Sequence, residues 1–211
     1  AWSAGTGGRP VDAGVAILPD LPDSAAYAGW MRTEAKGKFV LLSQPQPTCR
    51  PDSAFRAFAL PETWTTMTTE REAARANWAE RLRRTGLSAR VLPRHLEDAG
   101  AAGVVTSLWS SGWGVTKIFQ GRTVRTPTVE LSCEDYGLVY RLAQNNQGPR
   151  LRITADAEFK GDVPVFNVLA EIRGTERPEE YVMLSAHFDS WDGSSGATDN
   201  ATGTVTMLEA Q

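Results

Sequence analysis

Apolar and polar residues along the first part of the chain follow alternating strand and helix patterns. The predicted elements are, in chain order, a strand at residues 39–43, helices at 69–86 and 94–102, strands at 103–106 and 128–131, and a helix at 132–148. Strands that alternate with helices are typical of a small α/β domain. We place the end of this domain near residue 150, which predicts one domain at 1–150 and a second at 151–211.

The helix predicted at residues 69–86 has both a start and a stop signal. Thr69 and Glu72 form a capping-box pattern, and Gly86 supplies a left-handed stop. Its inward face is predicted to hold Ala74, Trp78 and Leu82. In the later helix, Ser132 with Asp135 marks the start, and the residues predicted to point inward are Leu138, Val139 and Leu142.

The spacing of apolar residues along the chain changes after residue 150. Apolar and polar residues alternate strictly over residues 151–159, which predicts a half-solvated strand. Residues 165–172 and 181–186 then read as an antiparallel hairpin joined by a polar turn. The second of these runs is almost continuously apolar and is therefore expected in the centre of its sheet. The residue that follows its carboxyl end is His187.

Composition narrows the class of protein. Hydrophobic residues make up 41% of the 211 residues and charged residues 22%, with a net charge of −3, which favours a folded chain. Without a basic stripe, a nucleic-acid partner is not expected. No apolar run is long enough for a membrane span. Cys49 and Cys133 each follow a predicted strand, and the sequence leaves open whether they pair.

The segment at residues 187–203 carries the most informative chemistry. His187 leaves a predicted buried strand, Asp189 lies two residues on, and Asp199 follows a glycine-containing loop at the start of a predicted helix. Histidine nitrogen and carboxylate oxygen both suit Zn²⁺, and a carboxylate beside a ligating imidazole fixes its tautomer. A helix N-terminus also stabilises the anionic form of Asp199. This pattern indicates a metal site.

The whole segment resembles the first metal-binding motif of the co-catalytic di-zinc exopeptidases, metallopeptidase family twenty-eight. The lead-in from Asn167 to Gly174 also matches that family. The resemblance implies that His187 is a zinc ligand, that Asp189 is a catalytic residue orienting it, and that Asp199 bridges two zinc ions. It further implies a secreted or periplasmic enzyme that hydrolyses a terminal peptide bond with a zinc-activated water, as an aminopeptidase, carboxypeptidase or dipeptidase.

The resemblance extends to the first domain. Residues 99–105 resemble the helix-to-strand signature of the protease-associated domain, so residues 14–148 are interpreted as that insert. The implied fold is a protease-associated α/β insert followed by the start of a mixed-sheet catalytic domain. The alternative is a non-catalytic binding module of the transferrin-receptor type. The intact residues His187, Asp189 and Asp199 favour the enzyme.

The family's remaining site residues have no match in this sequence. The Glu-Glu pair, Asp and final His would follow the first motif, and neither His95 nor Glu179-Glu180 replaces them. We therefore interpret the chain as an internal fragment, expected to be inactive alone, whose partners are a peptide substrate and the remainder of the catalytic domain.

Two other patterns were weighed. A serine nucleophile is the rival chemistry, because four serines, Ser185, Ser190, Ser194 and Ser195, lie near His187; however, no G-x-S-x-G elbow is present. Trp109 and Trp113 form either an aromatic rim for peptide side chains or a packed pair, and Trp191 either walls a substrate cleft or packs its loop.

Overall fold

The computed structural model describes residues 3–117, 121–191 and 193–210. It divides the chain into two units, residues 1–163 and 164–211. The first unit is built in the order β1 (Val11–Ile17), α1 (Ser24–Thr33), β2 (Phe39–Leu41), α2 (Asp52–Phe58), α3 (Pro61–Arg84), α4 (Leu92–Asp98), β3 (Gly103–Thr106), β4 (Trp109–Ser110), β5 (Val115–Thr116), β6 (Thr128–Glu130), α5 (Cys133–Gln144) and β7 (Arg150–Ile153).

The first unit is an α/β domain around a mixed five-stranded sheet. The strand order is β6-β3-β2-β1-β7, and β4 and β5 form a separate two-stranded ribbon. β1, β2, β3 and β6 are parallel neighbours, whereas β7 runs antiparallel to β1. Parallel strands are buried on both faces, which explains why Phe39, Val40 and Leu41 of β2 are fully buried.

The unit extends beyond the predicted boundary near residue 150. β7 pairs with β1 from Val11 opposite Ile153 to Gly14 opposite Arg150. Past β7 the backbone continues along the amino-terminal residues, because the amide of Thr6 donates to the carbonyl of Ala155 at 2.8 Å. The observed division therefore falls after Val163. The strand predicted at 151–159 is confined to β7.

Helix α3 begins eight residues before the predicted capping box. It begins at Pro61, whose fixed φ suits the first helical position, after the extended residue Leu60. The Thr69 hydroxyl donates to the carbonyl of Thr65 at 2.9 Å, so this side chain lies inside the helix and caps nothing. At the other end Gly86 has φ +71°, as its role as a stop requires.

Helix α5 begins where the sequence placed it, and Val139 packs partly buried against the core as predicted, but its fully buried residues are different ones. Ser132 accepts a hydrogen bond from the amide of Asp135 at 3.1 Å. The buried residues are Cys133, Tyr136, Gly137 and Tyr140, whereas Leu138 is 51% exposed. The prediction that Leu138 points inward was therefore wrong, because the aromatic rings of Tyr136 and Tyr140 occupy the core side.

A disulfide bond joins Cys49, in the loop after β2, to Cys133 at the start of α5, with their Cα atoms 5.6 Å apart. It answers the question that the sequence left open. The bond attaches the proline-containing loop at residues 44–48 to the helical layer of the first unit.

The second unit contains a π-helical turn (Ala197–Ala201) followed by helix α6 (Thr202–Glu209). The hairpin predicted at 165–172 and 181–186 is not formed: the described residues between 154 and 196 contain no strand. Apolar side chains along both runs are exposed, including Val165 at 88%, Leu169 at 88% and Val182 at 95%. A two-stranded ribbon alone is marginal in water and needs further strands or a helix to cover its apolar faces. No other strand is described in this unit.

Candidate metal centre

His187 lies in a segment of the second unit without regular secondary structure, and 52% of its side chain is exposed. Its Nδ1 atom is 3.0 Å from the carboxylate oxygen Oδ1 of Asp189 and 3.0 Å from the carbonyl oxygen of the same residue. Because one residue contacts the ring through both oxygens, the orientation of the imidazole is fixed from this side. The Nε2 atom then points away from Asp189.

Asp199 faces that second nitrogen. Its Oδ1 atom lies 3.0 Å from Nε2 of His187, and 66% of its side chain is exposed. Asp199 belongs to the π-helical turn at residues 197–201, but its own backbone is not helical, with φ −121° and ψ 88°. The structure thus brings His187, Asp189 and Asp199 together, with the two carboxylates on opposite nitrogens of one ring.

The loop that returns the chain to His187 depends on glycine. Gly196 precedes the π-helical turn in the left-handed conformation, with φ 64°. A Cβ atom on Gly196 would lie 2.8 Å from the Cβ of Ser190. The carbonyl of Gly196 accepts a hydrogen bond from the amide of Ala201 at 2.9 Å, which closes the turn that carries Asp199. These constraints are local to residues 190–201.

The two carboxylates shift the ionisation of the ring. The carbonyl oxygen of Asp189 raises the pKa of His187 most, and the carboxylates of Asp189 and Asp199 add to this rise. A ring between two anions is stabilised as the imidazolium, which donates from both nitrogens. The same arrangement offers a neutral imidazole nitrogen and a carboxylate oxygen side by side to a cation.

The chemistry of this donor set fits part of a zinc site. Zn²⁺ accepts both imidazole nitrogen and carboxylate oxygen as ligands, here 3.0 Å apart on His187 and Asp199, and Asp189 is placed to orient the imidazole. Among the residues that the structure describes, however, no group of three or more His, Cys, Asp or Glu is arranged to hold a metal ion. His187 and Asp199 are therefore two donors of a set that needs more.

The serine alternative has no geometric support. Both ring nitrogens of His187 face Asp189 or Asp199 at 3.0 Å, so neither is directed at a serine hydroxyl. The hydroxyl of Ser195 instead accepts a hydrogen bond from the amide of Ala197 at 3.4 Å. A serine nucleophile needs a base within hydrogen-bond reach.

The other histidine, the second acidic candidate and the two tryptophans singled out in the sequence all lie outside the His187 cluster. His95 is an exposed residue of α4, and Glu180 pairs with Arg177 at 3.2 Å in a turn. Trp109 is half-buried, and the guanidinium carbon of Arg71 lies over its ring, 5.9 Å from the ring centroid. Trp113, by contrast, is 80% exposed at the tip of the β4–β5 ribbon. The two tryptophans thus differ: Trp109 packs, and Trp113 projects.

The chain is similar to known proteins, and the match to a family model falls within the second unit. The model of Peptidase family M28 matches residues 167–211. Carboxypeptidase Q of Mus musculus is 34% identical over 104 residues, which cover 49% of this chain and 22% of that protein. Carboxypeptidase Q of Homo sapiens is 32% identical over 104 residues and is covered to the same extent as the mouse protein. A glutamate carboxypeptidase 2 homolog of Caenorhabditis elegans is 30% identical over a stretch that covers 55% of this chain and 15% of that protein.

No solved structure matches the chain. The chain spans about a quarter or less of the length of the curated relatives that it matches. In the described part of the chain, no helix is both long and apolar enough to cross a membrane. The family match contains all three residues of the His187 cluster. Residues 167–211, which carry these three side chains, are thus similar to Peptidase family M28.

Proposed function

We propose that this chain is part of a zinc-dependent exopeptidase that hydrolyses terminal peptide bonds. The observation that carries the proposal is the pairing of His187 Nε2 with Asp199 Oδ1 at 3.0 Å, inside the segment matched to a peptidase family. Several carboxypeptidases among its relatives support the class of reaction.

The three residues have distinct roles in this proposal. His187 and Asp199 would hold the metal, and Asp189 would fix the orientation of the imidazole ring through its contact with Nδ1. When bound, zinc polarises the scissile carbonyl and makes water a stronger nucleophile. Because two donors cannot complete the four-coordinate geometry of zinc, the 211-residue chain is expected to bind zinc weakly and to be inactive alone.

The partners follow from the same proposal. A peptide is the substrate, and the remainder of the catalytic domain is the partner that covers the exposed apolar runs around Leu169 and Val182. Residues 14–148 are proposed to be a protease-associated domain, which the mixed α/β sheet of the first unit supports. The disulfide between Cys49 and Cys133 supports secretion or export to the periplasm, because disulfides persist in oxidising compartments.

The metal assignment can be tested with the two histidines of the chain. Zinc is titrated into the purified protein while the ring resonances of His187 and His95 are followed by NMR. We expect His187 to shift with zinc and His95 to serve as the internal control, since it is an exposed histidine outside the cluster. Asp199→Asn should weaken the His187 response, because it removes the second donor.

Two outcomes would contradict the proposal. Equal responses of both histidines would show only nonspecific binding, and an unchanged response in Asp199→Asn would remove Asp199 from the site. Peptidase activity is measured separately on unblocked and amino-blocked peptides with added zinc. Release of a terminal amino acid by the purified chain would disprove the expectation that it is inactive alone.

A further inference from the structure

A groove crosses the surface of the first unit, away from the residues used above. It consists of two adjoining hollows of about 360 Å³ and about 350 Å³, both lined by Pro47 and Glu70. The first hollow reaches Glu62 at the start of α3, and the second reaches Arg141 on α5. Because the two hollows share Pro47 and Glu70, together they offer room for a short peptide segment.

One wall of the groove is a single face of α3. Glu62, Thr66, Glu70 and Ala74 line it at intervals of four residues, so their side chains lie one above another on the helix. With a rise of 1.5 Å per residue, this face runs for about 18 Å. An extended peptide covers that length with about five or six residues.

The opposite wall is the loop at residues 44–48, and it is held in place at both ends. The disulfide from Cys49 to Cys133 fixes its far end to α5. At its near end the side-chain amide of Gln44 donates to the carbonyl of Arg71 on α3 at 3.4 Å. Because proline also limits the backbone of this loop, the groove is formed before any ligand arrives.

The groove is apolar at its base and acidic along α3. Phe55 and Met67 line the first hollow. In the described residues neither Glu62 nor Glu70 has an ion-pair partner, while the nearby Arg71 is engaged by Asp52 at 2.8 Å. Arg141 adds a positive charge to the lining of the second hollow.

We propose that this groove binds an extended peptide whose two basic side chains are four residues apart. Glu62 and Glu70 are eight residues apart on α3, which is about 12 Å along the helix axis. In an extended peptide, side chains four residues apart point to the same side and are about 13 Å apart. The intervening apolar side chain would contact Phe55 and Met67. The two carboxylates would repel phosphate, which disfavours nucleic acid and anionic lipid.

This inference is independent of the proposed function, because binding requires neither metal nor catalysis. The probe is a fluorescein-labelled alanine-rich peptide with two lysines four residues apart and one leucine between them. Its affinity for the purified chain is measured by fluorescence polarisation. Comparison peptides have the same composition with adjacent lysines, or glutamate in place of lysine. A labelled single-stranded oligonucleotide tests the alternative class of ligand.

The variants are matched in charge. Glu62→Gln and Glu70→Gln should each weaken binding about two- to fivefold, as expected for exposed charge pairs. Glu72→Gln is the control, since Glu72 is an exposed carboxylate on the same helix outside both hollows. It should leave affinity unchanged. Circular dichroism of each variant confirms that α3 remains folded.

Saturable binding that weakens in both groove variants and with adjacent lysines supports the proposal. No saturation at millimolar peptide would overturn it, as would equal affinity for the two lysine spacings. If Glu70→Gln and Glu72→Gln weakened peptide binding equally, binding would depend only on the overall negative charge of α3, and the groove proposal would be overturned. Preferential binding of the oligonucleotide would overturn the charge argument.

Discussion

Glu97 is the buried carboxylate on which the loop at residues 123–126 depends. Only 1% of its side chain is exposed. Its Oε1 atom accepts hydrogen bonds from three successive backbone amides, those of Val124 at 3.1 Å, Arg125, and Thr126 at 2.7 Å. Its other oxygen lies 3.2 Å from the Arg94 guanidinium. Glu97→Gln keeps the size of the side chain but removes the charge.

The expected loss follows from these contacts. A hydrogen bond to a charged group contributes about 1.5 to 3 kcal/mol, and breaking a buried charge pair costs about 3 to 5 kcal/mol. Glutamine retains one acceptor for the amides but turns an amide nitrogen towards Arg94 or the loop. We therefore expect Glu97→Gln to lower the free energy of unfolding of the first unit by about 2 to 4 kcal/mol.

The assay is urea unfolding at neutral pH, followed by far-ultraviolet circular dichroism and tryptophan fluorescence. The control is Asp98→Asn, which removes the same charge from the next residue of α4. Asp98 is 53% exposed and pairs with Arg125 on the surface, where solvent screens the pair, so its loss should destabilise the unit far less than Glu97→Gln does. Equal destabilisation by the two variants, or less than about 1 kcal/mol for Glu97→Gln, would refute the reasoning.

The pH dependence of stability gives a second check on Glu97. Burial raises the pKa of this carboxyl, but the amides of Arg125 and Thr126 outweigh burial and hold the folded-state pKa below its usual value. A group with a depressed folded pKa stabilises the protein above its unfolded pKa, and this contribution is lost as the pH falls through the folded value. The stability gap between the parent and Glu97→Gln should therefore narrow in acid, below the unfolded pKa of glutamate.

Three further changes test the packing of the first unit. Reducing the bond between Cys49 and Cys133, 84 residues apart, should cost about 4 to 5 kcal/mol by loop entropy, and an unchanged melting temperature with reductant would contradict this. Tyr136→Phe removes bonds of 2.8 Å and 2.6 Å to the amide and carbonyl of Ser43, so urea unfolding should show a loss of about 1 to 3 kcal/mol. Gly103→Ala would place a Cβ atom 2.6 Å from the carbonyl oxygen of Pro127, so calorimetry should report a free energy of unfolding lower by about 1 to 3 kcal/mol. An unchanged melting temperature would contradict this prediction.

The parts of the fold that the sequence predicted are those set by short-range signals. The apolar run at residues 39–43 contains β2, and Ser132 with Asp135 marks the start of α5. The start of α3 was predicted wrongly because two sequence signals for a helix start compete there. Thr69 matches a cap, yet Pro61 begins α3 earlier, because a proline at the first helical turn and eight further helix residues outweigh one side-chain bond. No local pattern distinguishes these two starts.

Long-range features were harder to predict. Two cysteines 84 residues apart carry no spacing signal, and their pairing depends on loops that the sheet brings together. The groove on α3 was missed for a similar reason. Glu62, Thr66, Glu70 and Ala74 form a visible stripe only once the helix is known to begin at Pro61. Before that, Glu62 lies outside any predicted element.

In the His187 cluster, the local sequence determines how the three side chains are placed relative to one another, whereas burial of the site depends on tertiary packing. The sequence argument relied on a buried strand to deliver His187, and that strand is not formed in the described residues, yet the ring still lies 3.0 Å from both carboxylates. What brings Asp199 back is the left-handed Gly196 and the turn after it, within a dozen residues of the histidine. The relative placement of the donors is therefore encoded by the spacing of residues 187–201. Burial of the site, by contrast, requires sheet neighbours for runs such as the one around Val182, which is 95% exposed.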